Sequence, residues 1–117
     1  MKLISSSAVP PAPVTQPGAR GATIRELITD REGAPTFAMR LFEIAPGGAT
    51  PLHAHNWEHE VFLLEGEGRV SAPEGPVSIR AGDAVFVPAG EEHQFANTGE
   101  RVLRFLCLIP VSQPCCR

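Results

Sequence analysis

From Ala22 onward, apolar residues recur in short runs in which they alternate with polar ones, the pattern of half-buried strands. Eight runs are predicted as strands: ATIRELIT, TFAMRLFEI, EVFLLEG, GRVSA, PVSIR, DAVFVPA, HQFAN and RVLRFLCLIP. The segments APGG, EGEG, PEGP, RAGD, PAGEE and NTGE separate them and carry residues that favour turns. No stretch keeps a capped helical period for about ten residues. The pattern therefore predicts an all-β sandwich or barrel.

The first 19 residues form a different kind of segment. They contain four prolines and a serine triplet and show no apolar period, which predicts a flexible or extended arm, with a neighbouring subunit as one surface it could cross. A chain of 117 residues is long enough for one domain with one core and too short for two. We therefore predict an arm over 1–19, a β-barrel domain over 20–112 and a short tail over 113–117.

Charge and composition exclude several function classes. A net charge of −3 disfavours nucleic acid or an anionic membrane as the main partner. No apolar run approaches the roughly 20 residues of a membrane span, and the start MKLISSSAVPPAPV is too short and too polar for a signal peptide. The three cysteines are Cys107 and the adjacent Cys115 and Cys116, which we interpret as an exposed pair of unassigned role. No disulfide framework is indicated, and a cytoplasmic location is predicted.

The histidines are concentrated in one place. His53, His55 and His59 lie within seven residues of a chain that has four histidines in all. On a continuous strand these three share one face, with the first two about 6 to 7 Å apart along the backbone. Imidazole is the commonest protein ligand for transition metals, so His93, brought from another strand, would complete a metal site. The alternative is a chance cluster of surface or core histidines, which the low histidine content disfavours.

Two segments carry a resemblance to a known family. They are GGATPLHAHNWEHEVFLLEG, residues 47–66, and GDAVFVPAGEEHQFAN, residues 82–97. Their glycine, histidine, proline and asparagine spacings resemble the paired motifs of the cupin superfamily, in the same order. The resemblance implies a single-domain antiparallel jelly-roll β-barrel, cupin-type, that holds one metal ion inside.

The first motif departs from the common cupin pattern in one position. Most cupins have a glutamate ligand where His59 aligns, and Glu60 follows it directly. His59 is favoured because it has the parity of His53 and His55 and keeps six residues before Gly66, whereas Glu60 should face the opposite side. An all-histidine set is similar to the small bacterial manganese-binding cupins. This resemblance implies the ligands His53, His55, His59 and His93, with manganese favoured, iron next, and nickel, copper or zinc possible.

The residue types that the chain lacks disfavour several classes of reaction. The chain has no tyrosine, its only lysine is Lys2 in the arm, and a metal site would occupy every histidine. Schiff-base chemistry, tyrosine-assisted epimerisation and serine hydrolysis are therefore disfavoured. We predict a metal-dependent oxidoreductase, of dioxygenase or peroxide-using type, acting on a small apolar or aromatic molecule. The alternatives are a non-catalytic, metal-held module that binds or senses a small molecule and, ranked below it, a metal-dependent isomerase.

Pocket walls and assembly can also be predicted. Cys107 lies in the FLCLIP run, where manganese cupins also have a cysteine near the metal, and it is either an oxidisable inner-wall thiol or a small buried residue. The edge strand at 22–29 is the predicted contact of a homodimer, because an unpaired β-branched edge would otherwise favour aggregation. The candidate wall residues are Phe37, Met39, Trp57, Phe86, Phe95, Phe105 and Cys107.

Overall fold

The computed structural model describes residues 1–111, and most of their regular structure is β-strand. The predicted tail, with Cys115 and Cys116, lies outside the described residues. Two short 3-10 turns occupy Ser6–Ala8 and Asp30–Glu32. Within residues 1–111, no helix has the length and apolar character needed to cross a membrane. The strands, β1 to β9, are Ala12–Pro13, Arg20–Ile28, Phe37–Ala49, His59–Glu65, Glu67–Ser71, Val77–Arg80, Ala84–Val87, Gln94–Asn97 and Leu103–Pro110.

The strands form one curled antiparallel sheet. Its main order is β6-β5-β8-β3-β9-β4-β7, and β2 joins it along β3. Neighbours such as β3 and β9, or β5 and β8, are far apart in the chain, so long connections carry the backbone across the ends of the barrel. This arrangement confirms the predicted all-β, single-domain jelly-roll fold.

All eight predicted strands are present, but two details differ from the prediction. The arm contains a short strand, β1, which pairs with β2 at Ile24 and Thr23. The APGG segment does not end its strand, because β3 continues to Ala49. Gly47 has a φ of 79°, and a Cβ on Gly48 would lie 2.6 Å from the carbonyl oxygen of Arg20. The glycines therefore let the strand bend and stay paired, with a shift of register instead of a reversal.

The core lies on the concave face of the sheet. Burial alternates along β9, where Leu103, Phe105, Cys107 and Ile109 point inward. Phe105 is 1% exposed, and its ring lies 5.2 Å from the ring of Phe42 and 4.9 Å from that of Phe95. Offset aromatic packing of this kind adds to the free energy gained by burying the rings. The aromatic cluster lies beside His53, His59 and His93, so the candidate site adjoins the core.

The arm packs against the barrel of its own chain. The Nη1 atom of Arg25 donates to the carbonyl oxygens of Ser6 and Val9, at 3.2 and 2.8 Å. Val14 is 5% exposed, and its backbone N–H donates to the carbonyl oxygen of Ala22. These contacts tie residues 6–14 to β2 and cover part of its outer edge.

Charged side chains on the outer surface link four adjacent strands. Arg25 on β2 pairs with Glu43 on β3 at 3.1 Å, and Glu43 also pairs with Arg104 on β9 at 3.1 Å. Arg104 in turn lies 3.6 Å from Glu65 on β4. We call these four residues the charge ladder. Each exposed pair contributes little on its own, but a network with alternating signs supports strand pairing at every step.

Candidate metal centre

The two histidine motifs meet in an isolated β-bridge between His53 and His93. The backbone N–H of His53 donates to the carbonyl oxygen of His93 at 3.2 Å, and the N–H of His93 donates back at 3.0 Å. Residues paired in this way project their side chains on the same face. The two imidazole rings accordingly lie 4.9 Å apart, edge to face. This bridge therefore places the side chains of His53 and His93 next to each other.

His55 reaches the same point without the continuous strand that the sequence predicts. Residues 54–58 form no strand, and the chain bends at Asn56 and Trp57. The indole of Trp57 stacks on the imidazole of His55 at 4.1 Å, with the rings 3° from parallel. The Nδ1 atom of His55 lies 3.0 Å from the carbonyl oxygen of Trp57. The side chain of His55 is therefore oriented by ring stacking and by a backbone contact, because it does not lie on a strand.

His59 begins β4 and is 3% exposed. Its Nε2 lies 2.6 Å from Nε2 of His55, and its Nδ1 lies 2.8 Å from Sγ of Cys107. Glu60, the competing candidate, is exposed and lies on the outer side of the sheet beside Phe62 and Phe86. The alternation expected from sequence therefore places His59 inward and Glu60 away from the other histidines.

Three of the four histidines form a group that could hold a single metal ion, and His59 adjoins this group through its contact with His55. Donor atoms of His53, His55 and His93 all lie within 4.8 Å of one another. Two nitrogen ligands on opposite sides of one ion, each about 2.1 Å from it, are about 4.2 Å apart. The Nδ1 atoms of His55 and His93 face carbonyl oxygens, at 3.0 and 2.9 Å. Because a carbonyl only accepts, those Nδ1 atoms carry the proton and leave each Nε2 lone pair for a metal.

Burial keeps the imidazoles uncharged. It lowers the pKa of His53 to about 4, with further lowering from His93, His55 and Arg40. It lowers the pKa of His59 to about 2, where Arg40 is the next cause. The pKa values of His55 and His93 are lowered as well, again chiefly by burial. Since metal ligation requires neutral imidazole, protons do not compete for this site at pH 7.

We expect the metal-free protein to lose stability as the pH falls below about 6.5. The unfolded chain takes up protons at its histidines near their ordinary pKa of 6.5, whereas the folded protein keeps His53 neutral down to about 4 and His59 down to about 2. Acid therefore favours the unfolded state across that window, and above it these groups have no effect. Urea unfolding of chelator-treated protein at several pH values measures the slope. Carboxylates titrate there too, so the control is His53→Asn, which should show a shallower slope; equal slopes would contradict the prediction.

Arg40 is a buried residue of the site that the sequence analysis missed. It is 1% exposed, its Nη2 donates to Sγ of Cys107 at 2.8 Å, and its guanidinium lies 5.3 Å from the ring centre of Phe42. In the β2–β3 register it lies opposite Glu26. The signal was present in FAMRLFEI, where Arg40 has the parity of the inward Phe42 and Ile44. Burial raises the pKa of the Cys107 thiol, while Arg40 acts in the opposite direction.

The predicted pocket wall is only partly correct. Phe95, Phe105 and Cys107 line an interior cavity with three of the histidines, and Trp57 covers His55. Three other candidates point outward on the convex face, because they occupy the opposite parity of their strands: Phe37, Met39 and Phe86.

The interior cavity is small. Its volume is about 10 Å³, which is the room of about one water molecule or ion. His53 and His55 are half-buried, whereas His59 and His93 are 3% exposed each. A molecule larger than an ion therefore approaches from the side of His53 and His55.

Comparison with known proteins agrees with this geometry. The model of the cupin domain matches residues 40–109, which include all four histidines, Arg40 and Cys107. The chain belongs to the cupin family. This cupin superposes on the polyketide cyclase RemF of Streptomyces resistomycificus with a TM-score of 0.90 and 37% identity, covering 98% of this chain and 82% of that one.

Curated relatives of this cupin differ in what they do. It is 40% identical over 74 residues to an oxalate-binding protein of Thermotoga maritima, covering 60% of this chain and 61% of that protein. It is 32% identical over 74 residues to 1-methylthio-D-xylulose 5-phosphate methylsulfurylase of Rhodospirillum rubrum, covering 63% and 47%. The cupin thus spans about half to three fifths of the length of these two relatives. Such diversity means that family membership establishes the fold and leaves the reaction to the site.

Proposed function

We propose that this cupin binds one divalent transition metal ion through His53, His55, His59 and His93, and that it catalyses Lewis-acid chemistry on a small, keto-rich molecule of the polyketide type. The observation that carries the proposal is the likeness to the polyketide cyclase RemF over 98% of this chain at 37% identity. Manganese is the proposed ion, with iron next. A homodimer formed through β2 and a cytoplasmic location remain predictions.

The donor set supports Lewis-acid chemistry. A divalent ion held by neutral imidazoles alone keeps its full charge and polarises carbonyl oxygens when bound. The histidines themselves stay neutral at pH 7, because burial lowers the pKa of each one. Glu58 and Glu60 are exposed, and the charges of Glu91 and Glu92 raise the pKa of His93 by less than burial lowers it.

Other residues of the barrel shape the surroundings of the metal site. Phe42, Phe95 and Phe105 form an apolar wall beside the histidines, which excludes water from the inner side of the site, while the small cavity leaves a keto-rich molecule to bind at the mouth, beside His53 and His55. Arg40 is the one charged side chain among the fully buried residues of the described chain. Its positive charge favours the enolate form of a β-diketone over the neutral form, because charge effects are strong where water is excluded.

A second candidate is a non-catalytic module that binds a small dicarboxylate at the same metal. It is favoured by the 40% identity to the oxalate-binding protein of Thermotoga maritima. The cavity of about 10 Å³ also agrees with a ligand bound at the mouth, without room for a reaction inside. Oxidoreductase chemistry, predicted from the sequence, is the third candidate for the same site.

One experiment separates the three. Manganese-loaded protein is incubated with a linear poly-β-ketone thioester analogue, and products are followed by mass spectrometry while an electrode records oxygen. Cyclisation with loss of water, dependent on the metal and without oxygen uptake, is the expected result. Oxygen uptake would favour the oxidoreductase, and oxalate binding by calorimetry without turnover would favour the binding module. His93→Ala protein is the control for background reaction.

A further inference from the structure

A sulfur atom lies between a buried arginine and one of the proposed metal ligands. Sγ of Cys107 is 2.8 Å from Nδ1 of His59 and 2.8 Å from Nη2 of Arg40. We infer that Cys107 is a positioning residue: its sulfur accepts the Nδ1 proton of His59 and so directs Nε2 of that imidazole to the metal, while Arg40 holds the sulfur in place. The inference rests on the proposed function, because it concerns how the same metal site is organised.

Comparison among the histidines supports this role. In His55 and His93, the Nδ1 atom faces the carbonyl oxygen of a residue two positions away, Trp57 or Glu91. In His59 the Nδ1 atom faces the sulfur of Cys107, which is 48 positions away in the chain. The distance is 2.8 Å, close to the 3.0 and 2.9 Å of the other two contacts. An imidazole that binds metal through Nε2 carries its proton on Nδ1 and needs an acceptor there. Cys107 therefore takes the role that the backbone plays for the other two.

Arg40 gives the sulfur a fixed position. Its guanidinium cannot lose its proton in a protein, so it acts only as a donor toward Cys107. The contact with Phe42 and the register of β3 against β9, which pairs Arg40 with Cys107, restrict both side chains to one arrangement. The guanidinium thereby keeps the sulfur within hydrogen-bond distance of the second donor, Nδ1 of His59.

Bulk water does not reach the sulfur, and a metal ion bound by the histidines would fill the small cavity beside it. Cys107 is 1% exposed and His59 is 3% exposed, and the cavity between them and the other histidines measures about 10 Å³. A side chain of similar volume without an acceptor therefore leaves Nδ1–H of His59 buried and unsatisfied in the metal-bound state. That penalty falls on metal binding, and loss of such supporting contacts typically weakens metal affinity by about 10- to 100-fold.

The test compares Cys107→Val, which removes the acceptor at similar volume, with Cys107→Ser, which keeps an acceptor. The control is Val61→Ala, because Val61 lies opposite Cys107 in the β4–β9 register, is 3% exposed and contributes packing without a polar atom. Calorimetric titration with Mn²⁺ measures affinity. In the Zn²⁺-loaded proteins, nitrogen-15 spectra of labelled histidine show whether Nδ1–H of His59 is protected by a hydrogen bond.

We expect Cys107→Val to bind Mn²⁺ about 10- to 100-fold more weakly than wild type and to lose the protected Nδ1–H signal. Cys107→Ser should recover most of the affinity and the signal, and Val61→Ala should keep both. Equal affinity of wild type and Cys107→Val, or an equal loss in Val61→Ala, would overturn the inference while leaving the metal site intact. Failure of the wild type to bind Mn²⁺ would instead overturn the proposed function, and this inference with it.

Discussion

His59→Ala protein is expected to bind Mn²⁺ at least about 100-fold more weakly than wild type. His59 is buried, and its Nε2 lies 2.6 Å from that of His55. Alanine at this position removes one of the four proposed donor atoms. Loss of a residue that merely supports a ligand already costs about 10- to 100-fold in affinity, so loss of the ligand itself should cost more. Mass spectrometry of the purified protein measures metal content, and calorimetry measures affinity.

The adjacent residue provides the matched control. The side chain of Glu60 points to the outer side of the sheet, away from His59. Glu60→Ala should therefore retain wild-type metal content. Circular dichroism of both variants shows whether each keeps the fold. The result that would contradict the proposed ligand set is loss of metal from Glu60→Ala with retention in His59→Ala. The site would then be the three-histidine, one-glutamate kind common in cupins.

Phe105→Ala protein should lose about 3 to 5 kcal/mol of unfolding free energy. Phe105 is 1% exposed and packs between the rings of Phe42 and Phe95. Truncation removes this burial and leaves a cavity that the curled sheet cannot close easily. The expected loss is a large part of the roughly 5 to 15 kcal/mol that stabilises a domain of this size. Urea unfolding of chelator-treated protein measures the change without a contribution from bound metal.

Phe62 allows the same substitution on the other face. Its side chain is 46% exposed on β4, so Phe62→Ala should change the unfolding free energy by about 0.5 kcal/mol. Similar losses in the two variants would show that the inner aromatic cluster is not the principal core. Loss of stability in Phe105→Ala should also weaken metal binding, since Phe105 lines the cavity beside the histidines.

Local pattern was sufficient to predict most of the fold. Period-two alternation identifies strands because one face of each is buried, and glycines with positive φ, such as Gly66 and Gly82, mark the breaks between successive strands. The pattern failed at APGG because a pair of glycines is equally compatible with a turn and with a bent strand. It failed to find β1 because proline-rich segments carry no apolar alternation.

The clustering of the histidines was predictable, and their surroundings were less so. Histidine spacing within each motif is a local property, whereas the contact between Arg40 and Cys107 joins residues 67 positions apart. Such contacts depend on the order of strands in the sheet. The spacing of residues within a motif does not reveal that order. The facing of Met39 could have been assigned, because its neighbour Arg40 has the parity of the inward residues; treating every large apolar residue as part of the wall was the error. The orientation of His55 depends on Trp57, whose stacking no periodicity reveals.

The charge ladder has a consequence for how accurately the interior is assembled. Arg25, Glu43, Arg104 and Glu65 alternate in sign across β2, β3, β9 and β4. A slip of one residue between two of these strands would turn a charged side chain toward the core, and a slip of two would separate opposite charges by about 7 Å. The outer surface therefore favours a single alignment of strands drawn from distant parts of the chain. That alignment fixes the register of β4 against β9, and His59 is the first residue of β4. Charges in contact with solvent therefore help to determine the position of the His59 imidazole inside the barrel.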